Sequence, residues 1–302
     1  MSSRTVGRIT TAVGVTGAAC VAYASTVEVR WFALRRATLP MLPPGSDPLK
    51  VLHLSDLHLL PRQRRKIDWV RSLAALEPDL VVNTGDNLSG FNSVPPLMDA
   101  HGDLLDLPGA FVFGSNDYWS PRMKNPARYL IPGDKRHTVP RPPDLPFEPM
   151  RTAFTDAGWA DLNNAKVILK VNGLRIDLAG VDDPHILRDE YATVAGPVDA
   201  SADLSIGVVH SPYRRVLDAF VGDGYPLVLA GHTHGGQLAV PFYGALVTNC
   251  DLDTSRVKGL STYGAGDRQT ALHVSAGLGT SPYAPIRFCC RPEATLLTLV
   301  AR

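Results

Sequence analysis

Short apolar runs recur along the chain, each broken off by glycine or a small polar residue. Leu49 to Leu54 runs into Ser55-Asp56-Leu57-His58, Leu80 to Thr84 into Gly85-Asp86-Asn87, and Gly109 to Phe113 into Gly114-Ser115-Asn116-Asp117. Further on, Leu204 to Val209 ends at His210-Ser211-Pro212, and Pro226 to Ala230 ends at Gly231-His232-Thr233-His234-Gly235-Gly236-Gln237. Continuous apolar runs of this length predict strands buried on both faces. Between the first two, Ile67, Trp69, Val70, Leu73, Ala74 and Leu76 recur at helical spacing, and Pro78-Asp79 ends that helix. Strands alternating with helices predict an α/β fold built on parallel strands.

The remaining pattern is less regular. Phe147 to Ala157 has helical character, and Lys166 to Val171 and Leu174 to Ala179 flank Asn172-Gly173, a hairpin signal. Arg214, Val216, Leu217 and Phe220 predict a helix, and Ala271 to Ser275 and Ala294 to Val300 predict strands. Residues 118–149 form a basic, proline-rich insertion of the kind that serves as a lid or loop.

The N-terminus breaks the pattern. After a short tail (residues 1–8), Ile9 to Val27 carries no charge, with Arg4 and Arg8 before it and Glu28, Arg30, Arg35 and Arg36 after it. That length reaches across a bilayer, although Gly, Thr and Ser make the stretch mildly hydrophobic. The expectation is an uncleaved transmembrane anchor over 9–27. The alternative is an export signal cleaved near Ala24, because Ala22-Tyr23-Ala24 resembles a signal-peptidase site. The arginines are too evenly shared to fix an orientation. Residues 28–48 read as a linker, and 49–302 as one domain.

Composition narrows the function. A chain of 302 residues with 45% hydrophobic and 20% charged positions supports a sizeable core, and a net charge of +1 gives no general attraction to nucleic acid. Cys20, Cys250, Cys289 and Cys290 lack metal spacing and read as free thiols, which disfavours a disulfide-dependent fold.

The chemistry gathers at the strand ends, where an α/β sheet keeps its crevice. Residues two apart on an extended chain point to the same side, so Asp56 with His58, and His232 with His234, can each aim at one place. Carboxylate oxygen and imidazole nitrogen can share a cation there. A right-handed crossover between neighbouring strands brings Asp86 beside Asp56, and a divalent cation relieves the repulsion between them. The run Arg62-Gln63-Arg64-Arg65-Lys66 is ordinarily a solvated helix start. Its place just beyond Asp56 and His58 makes Arg64 and Arg65 candidates for a phosphate or lipid headgroup. His53, His101, His137, His185 and His273 fall outside these patterns and read as packed or solvated.

In this order the five motifs resemble those of the calcineurin-like metallophosphoesterases. Gly231 to Gln237, with Gly277-Leu278-Gly279-Thr280-Ser281, resembles the bacterial branch that has an N-terminal membrane segment and includes UDP-diacylglucosamine hydrolase-like enzymes. The similarity covers Leu49 to Val300. It implies a four-layer α/β/β/α sandwich and two divalent metal ions. By motif position Asp56, His58 and His234 would hold the first metal and His210 and His232 the second, with Asp86 bridging. Such mixed ligands suit Mn, Fe or Zn, with Mg a further candidate. Two cations about 3.5 to 4 Å apart can clamp an in-line displacement at phosphorus. A water between them would lose a proton near neutral pH and attack, while the metals neutralise the phosphoryl oxygens.

One motif departs from the family's Gly-Asn-His followed by Asp or Glu. Strict alignment puts Ser115 at the metal-binding Asn and Asn116 at the His. Either Ser115 is a poor ligand or the loop lets Asn116 supply the amide oxygen, and Asn116 is the better neutral ligand. The usual His is absent in both cases, which favours a leaving group that needs little protonation. Asp86, Asn116 and Asp117 are thus the candidate catalytic residues. The expected function is metal-dependent hydrolysis of a phosphodiester or pyrophosphate near a membrane, with lipid-linked substrates among the candidates. The alternative is a catalytically weak scaffold of the same fold that binds a partner.

Overall fold

Two six-stranded mixed sheets carry the chain, and the computed structural model describes residues 3–123 and 136–302. The first sheet runs β1 (Ala33–Leu42), β14 (Glu293–Ala301), β2 (Leu49–Leu54), β3 (Leu80–Asn83), β4 (Gly109–Phe111) and β5 (Ala160–Asp161). Strands β2 to β5 are parallel, whereas β14 is antiparallel to β2 and parallel to β1. The second sheet runs β12 (Gly259–Ala265), β13 (Arg268–Val274), β9 (Leu227–Ala230), β8 (Leu204–Val209), β7 (Leu174–Val181) and β6 (Ala165–Val171). Its centre, β13 to β7, is parallel, and each flank closes with an antiparallel pair. A separate small ribbon pairs β10 (Ala239–Val240) with β11 (Gly244–Ala245).

Alternation along the strands builds three cores. Val51, Val82 and Ala110 from the first sheet meet Leu178, Val208 and Leu229 from the second in a layer between the sheets. Leu52, Leu54, Val81 and Phe111 face outward onto α2 (Arg64–Arg71), α3 (Val94–His101) and α5 (Phe147–Asp156). Val209, Val228 and Ala230 face α6 (Arg214–Asp223), where Val216, Leu217 and Phe220 meet them. Strands β3, β8 and β9 are buried at every position because both faces are covered, which explains why their apolar runs are continuous rather than alternating. The order of layers is helix, sheet, sheet, helix.

The expected hairpin at Asn172-Gly173 joins β6 to β7, with Val171 opposite Leu174. The stretch read as a linker contains β1, and Pro40 is tolerated in it because β1 is an edge strand. Part of the proline-rich insertion, 124–135, lies outside the described residues. Its return is docked: the backbone N–H groups of Asp144 and Leu145 both donate to the Tyr118 carbonyl at 3.0 Å.

The transmembrane expectation is corrected. The N-terminal stretch is helical, as α1 (Ser3–Thr26), yet no helix among the described residues is long and apolar enough to cross a membrane. Gly7, Thr10, Thr11, Gly14, Thr16 and Gly17 dilute the apolar residues that a span needs. At the proposed cleavage position, Ala24 is buried and its carbonyl accepts the Arg287 backbone N–H.

Candidate metal centre

The ligand-type residues leave the carboxyl ends of β2, β3, β8 and β9, so both sheets contribute to one edge of the sandwich. Their backbone conformation is unusual. Asp56, His58, Asp86, His232 and His234 all have positive φ, between 42° and 69°, in the left-handed region that costs a side chain energy. The sharp turns that result fold each side chain back over the strand ends.

Asp56, His58, Asp86 and His234 offer ligand atoms that all lie within 4.8 Å of one another. His58 Nε2 is 3.4 Å from Asp86 Oδ2 and 3.2 Å from His234 Nε2, and His234 Nε2 is 3.5 Å from Asp56 Oδ1. On the other side of Asp86, Oδ1 is 3.5 Å from His210 Nε2. His210 Nδ1 donates to the Thr84 carbonyl at 2.6 Å, so in the neutral ring Nε2 carries the lone pair. Among the described residues that nitrogen is buried with no hydrogen-bond partner. His232 lies beside His210, ring centroids 5.2 Å apart, and its backbone N–H donates to both Asp56 oxygens at 3.1 and 3.2 Å. The His232 Nε2 lies 3.2 Å from the Asn249 carbonyl.

This donor set fits cations. Burial pushes Asp56 up to about 6, with Asp86 adding to the rise, and burial lowers His58 to about 4. Burial, His58 and Arg287 hold His234 well below its usual range. Asp86 and His210 respond to each other instead: against burial, His210 holds Asp86 low and Asp86 holds His210 high. His58 and His234, held neutral beside Asp56 and Asp86, stand in their metal-binding protonation state, whereas the proton that Asp86 favours on His210 is one that a bound cation would displace.

The third loop approaches through Asp86. Asn116 donates to Asp86 Oδ1 from its backbone and to Oδ2 from its amide, both at 2.7 Å, while the Ser115 hydroxyl accepts from Asn116 at 3.3 Å. A flip of the amide presents its oxygen on the same side. Asp117 is set apart. Its oxygens accept the backbone N–H groups of Asp86, Asn87 and Gly114 at 2.7 to 2.9 Å, which occupies it in holding the Asp86 loop rather than meeting substrate. Burial pushes its carboxyl up to about 7.

The basic run opens α2 as a largely solvated helix start. Arg64 is exposed and pairs with Asp99 at 3.5 Å on α3, and Arg65 is exposed. The member of the run that faces the site is Lys66, buried, with Nζ donating to the Leu57 carbonyl at 2.6 Å between the two ligands Asp56 and His58. Lys66 follows Arg65 by one helical step of about 100°, which is enough to exchange solvent for core.

One contributor escaped sequence reading. Asp183, just beyond β7, accepts from Ser211 Oγ and the His185 N–H, and its Oδ2 is buried without a partner. Its place after a strand end was the available signal. Gly277-Leu278-Gly279 lies along the first loop: Leu278 N–H donates to the Ser55 carbonyl at 3.0 Å and Gly279 N–H to the Asp56 carbonyl at 2.6 Å. A Cβ on Gly279 would fall 2.3 Å from the Leu57 carbonyl oxygen.

Buried aspartates and histidines that converge from strand ends of a two-sheet sandwich thus form a cluster able to hold a metal ion. Residues 49–236 match the family profile of the calcineurin-like phosphoesterases. The chain belongs to that family and is a hydrolase acting on phosphoester bonds. It is 28% identical over 259 residues to the uncharacterized protein YpbG of Bacillus subtilis (strain 168), covering 84% of this chain and 82% of that one. It is 27% identical over 293 residues to the phosphodiesterase YaeI of Escherichia coli (strain K12), covering 92% of both. A Bos taurus transmembrane protein with metallophosphoesterase domain is 28% identical over 317 residues, covering 98% of this chain and 61% of that one.

Proposed function

We propose that the chain is a dinuclear phosphodiesterase or pyrophosphatase. The carrying observation is that Asp86 stands between two imidazoles from opposite sheets, 3.4 Å from His58 and 3.5 Å from His210. In this reading Asp56, His58 and His234 hold one cation and His210, His232 and Asn116 the other, with one oxygen of Asp86 toward each. Mn, Fe or Zn suits these ligands, with Mg a further candidate. Such cations supply an acidified water and charge neutralisation at phosphorus.

The protein's own residues do the rest. Asp117 and Lys66 hold the Asp86 and Asp56 loops through backbone bonds, so the ligands stand in place before substrate arrives. The His210 bond to Thr84 fixes the imidazole tautomer. With Asn116 where the family has histidine, no imidazole at that position protonates the leaving group. This favours acidic leaving groups, such as the second phosphate of a pyrophosphate. Lipid-linked substrates belong to the same class: Phe242 and Tyr243 stand exposed on the turn between β10 and β11, a few residues beyond His234.

The test is metal-dependent turnover by full-length protein of bis-p-nitrophenyl phosphate, nucleotide diphospho-lipids and phospholipids. Two cations per chain, with faster cleavage of the pyrophosphate bond than of alkyl diesters, is the expected result. Metal binding without turnover of any of them would establish the scaffold alternative.

A further inference from the structure

The last turn of α1 meets the domain beside the segment that supports His234. Ala24 O accepts the Arg287 backbone N–H at 3.1 Å, and the Tyr23 ring stands edge-on to Phe288. Glu28, only 3% exposed, accepts the Cys290 backbone N–H at 2.5 Å. Arg287 and Cys290 in turn reach a candidate ligand. The Cys290 sulfur is 3.2 Å from the His234 carbonyl and 3.4 Å from that of Gly235, and a Cβ on Gly235 would fall 2.6 Å from it. The buried Arg287 guanidinium places Nη2 2.6 Å from the Gly279 carbonyl and 3.3 Å from His234 Nδ1. Gly279 O is itself the acceptor for His234 Nδ1, at 3.1 Å.

A buried glutamate and a buried guanidinium are costly to keep for packing alone. Here both are spent on backbone groups around one histidine: Arg287 Nη2 also donates to the carbonyls of Ala276 and Gly277 at 2.8 and 3.1 Å. We propose that Glu28, Arg287 and Cys290 form a positioning relay that fixes the ring of His234, so that the turn after α1 belongs to the support of the metal centre. Glu28 fastens the backbone of Cys290, whose sulfur seats the His234 carbonyl. Arg287 holds the Gly279 carbonyl where it accepts a hydrogen bond from His234 Nδ1–H, which leaves the lone pair on Nε2, the nitrogen facing Asp56 and His58. Neighbours that orient a ligand in this way typically change metal affinity by about 10- to 100-fold when removed.

The inference rests on the metal reading above, and calorimetry of the full chain with Mn²⁺ alone separates the two. Glu28→Ala and Cys290→Ala should each weaken Mn²⁺ binding about tenfold or more. Glu28→Gln, whose amide oxygen still accepts the Cys290 N–H, should recover most of the affinity. Trp31→Ala, which removes a ring that stacks on Arg291 in the same segment, should leave it unchanged. Wild-type protein that binds no Mn²⁺ would overturn the metal reading itself. Wild-type binding with unweakened Glu28→Ala and Cys290→Ala would overturn the relay alone, as would an equal loss in Trp31→Ala, which would mean general loosening of the segment. If Glu28→Ala does not fold, Cys290→Ala decides, because it keeps the backbone N–H and deletes only the sulfur.

Discussion

His210 Nδ1 lies 2.6 Å from the carbonyl oxygen of Thr84, so the residue after β8 in one sheet is bonded to the residue after β3 in the other. The contact continues inward. Thr84 Oγ1 is 2.9 Å from His53 Nε2, and His53 Nδ1 is 2.8 Å from His273 Nδ1 on β13. A buried polar thread thus crosses between the sheets directly beneath the ligands, and burial keeps both inner histidines below the usual imidazole range.

Asp86 should be the least replaceable ligand. In Asp86→Ala the charge facing both His58 and His210 disappears, so both cations should bind more weakly than after loss of any other single ligand. Turnover of bis-p-nitrophenyl phosphate should fall by about 10³-fold or more, a loss of roughly 4 kcal/mol of transition-state stabilisation. Metal content by mass spectrometry and turnover rates check this. Two bound cations and full activity in the variant would refute the assignment.

The third loop allows a direct contrast. Asn116→Ala removes the amide that meets Asp86, and should cut turnover about 10²-fold and weaken one of the two cations. Ser115→Ala removes a hydroxyl whose one described side-chain partner is Asn116, and should change turnover by less than about threefold. Reversed effects in steady-state kinetics would give the ligand role to Ser115.

Gly277 tests how tightly the first loop is seated. Its φ is +67°, and a Cβ there would fall 2.5 Å from the Asp56 Cβ. Gly277→Ala should therefore displace Asp56, lower Mn²⁺ affinity at least about tenfold and destabilise the fold. Gly158→Ala, also at positive φ but in open space, should cost only about 1 kcal/mol and leave metal binding intact. Denaturant titration and calorimetry on both variants separate strain from displacement.

His101 predicts a pH effect remote from the ligands. Packed against Phe154 and Trp159, it is lowered to about 4 by burial, and the Leu97 carbonyl opposes the fall only in part. A histidine whose folded value is depressed stabilises the fold above its ordinary value, near 6.5, and that contribution is lost as pH drops toward 4. His101→Leu should remove on the order of 3 kcal/mol of the stability difference between pH 7.5 and pH 4. Urea unfolding at a series of pH values measures it, and an unchanged slope would contradict the assignment.

Much of the fold was legible because local pattern and global burial agree along β2, β3, β4, β8 and β9. Each is a mainly apolar run that ends at glycine or at polar residues, and each candidate ligand stands at such an end. The order of the strands was not legible. β14 inserts between β1 and β2 although it comes last in the chain, and no local signal announces a pairing of Leu297 with Val51. β1 was hidden by its alternating exposure and by Pro40, both of which suit an edge. Lys66 went unremarked beside Arg64 and Arg65 because a charge run does not state which member faces inward, and one helical step decides it. Arg287 and Cys290 carried no motif at all, since their role comes from carbonyl groups brought together only in the folded chain.

The apolar layer between the sheets has a second consequence. Because Asp56, His58 and Asp86 follow strands of one sheet and His210, His232 and His234 strands of the other, the thickness of that layer sets the distance between the two groups of candidate ligands. Val82 and Val208 lie in the layer, each two residues before Thr84 and His210 respectively. A methyl group added or deleted there is felt in a close-packed interior as a shift of one sheet against the other. On the proposed dinuclear reading, substitutions at these two valines, which touch no ligand, should shift which cation the site prefers.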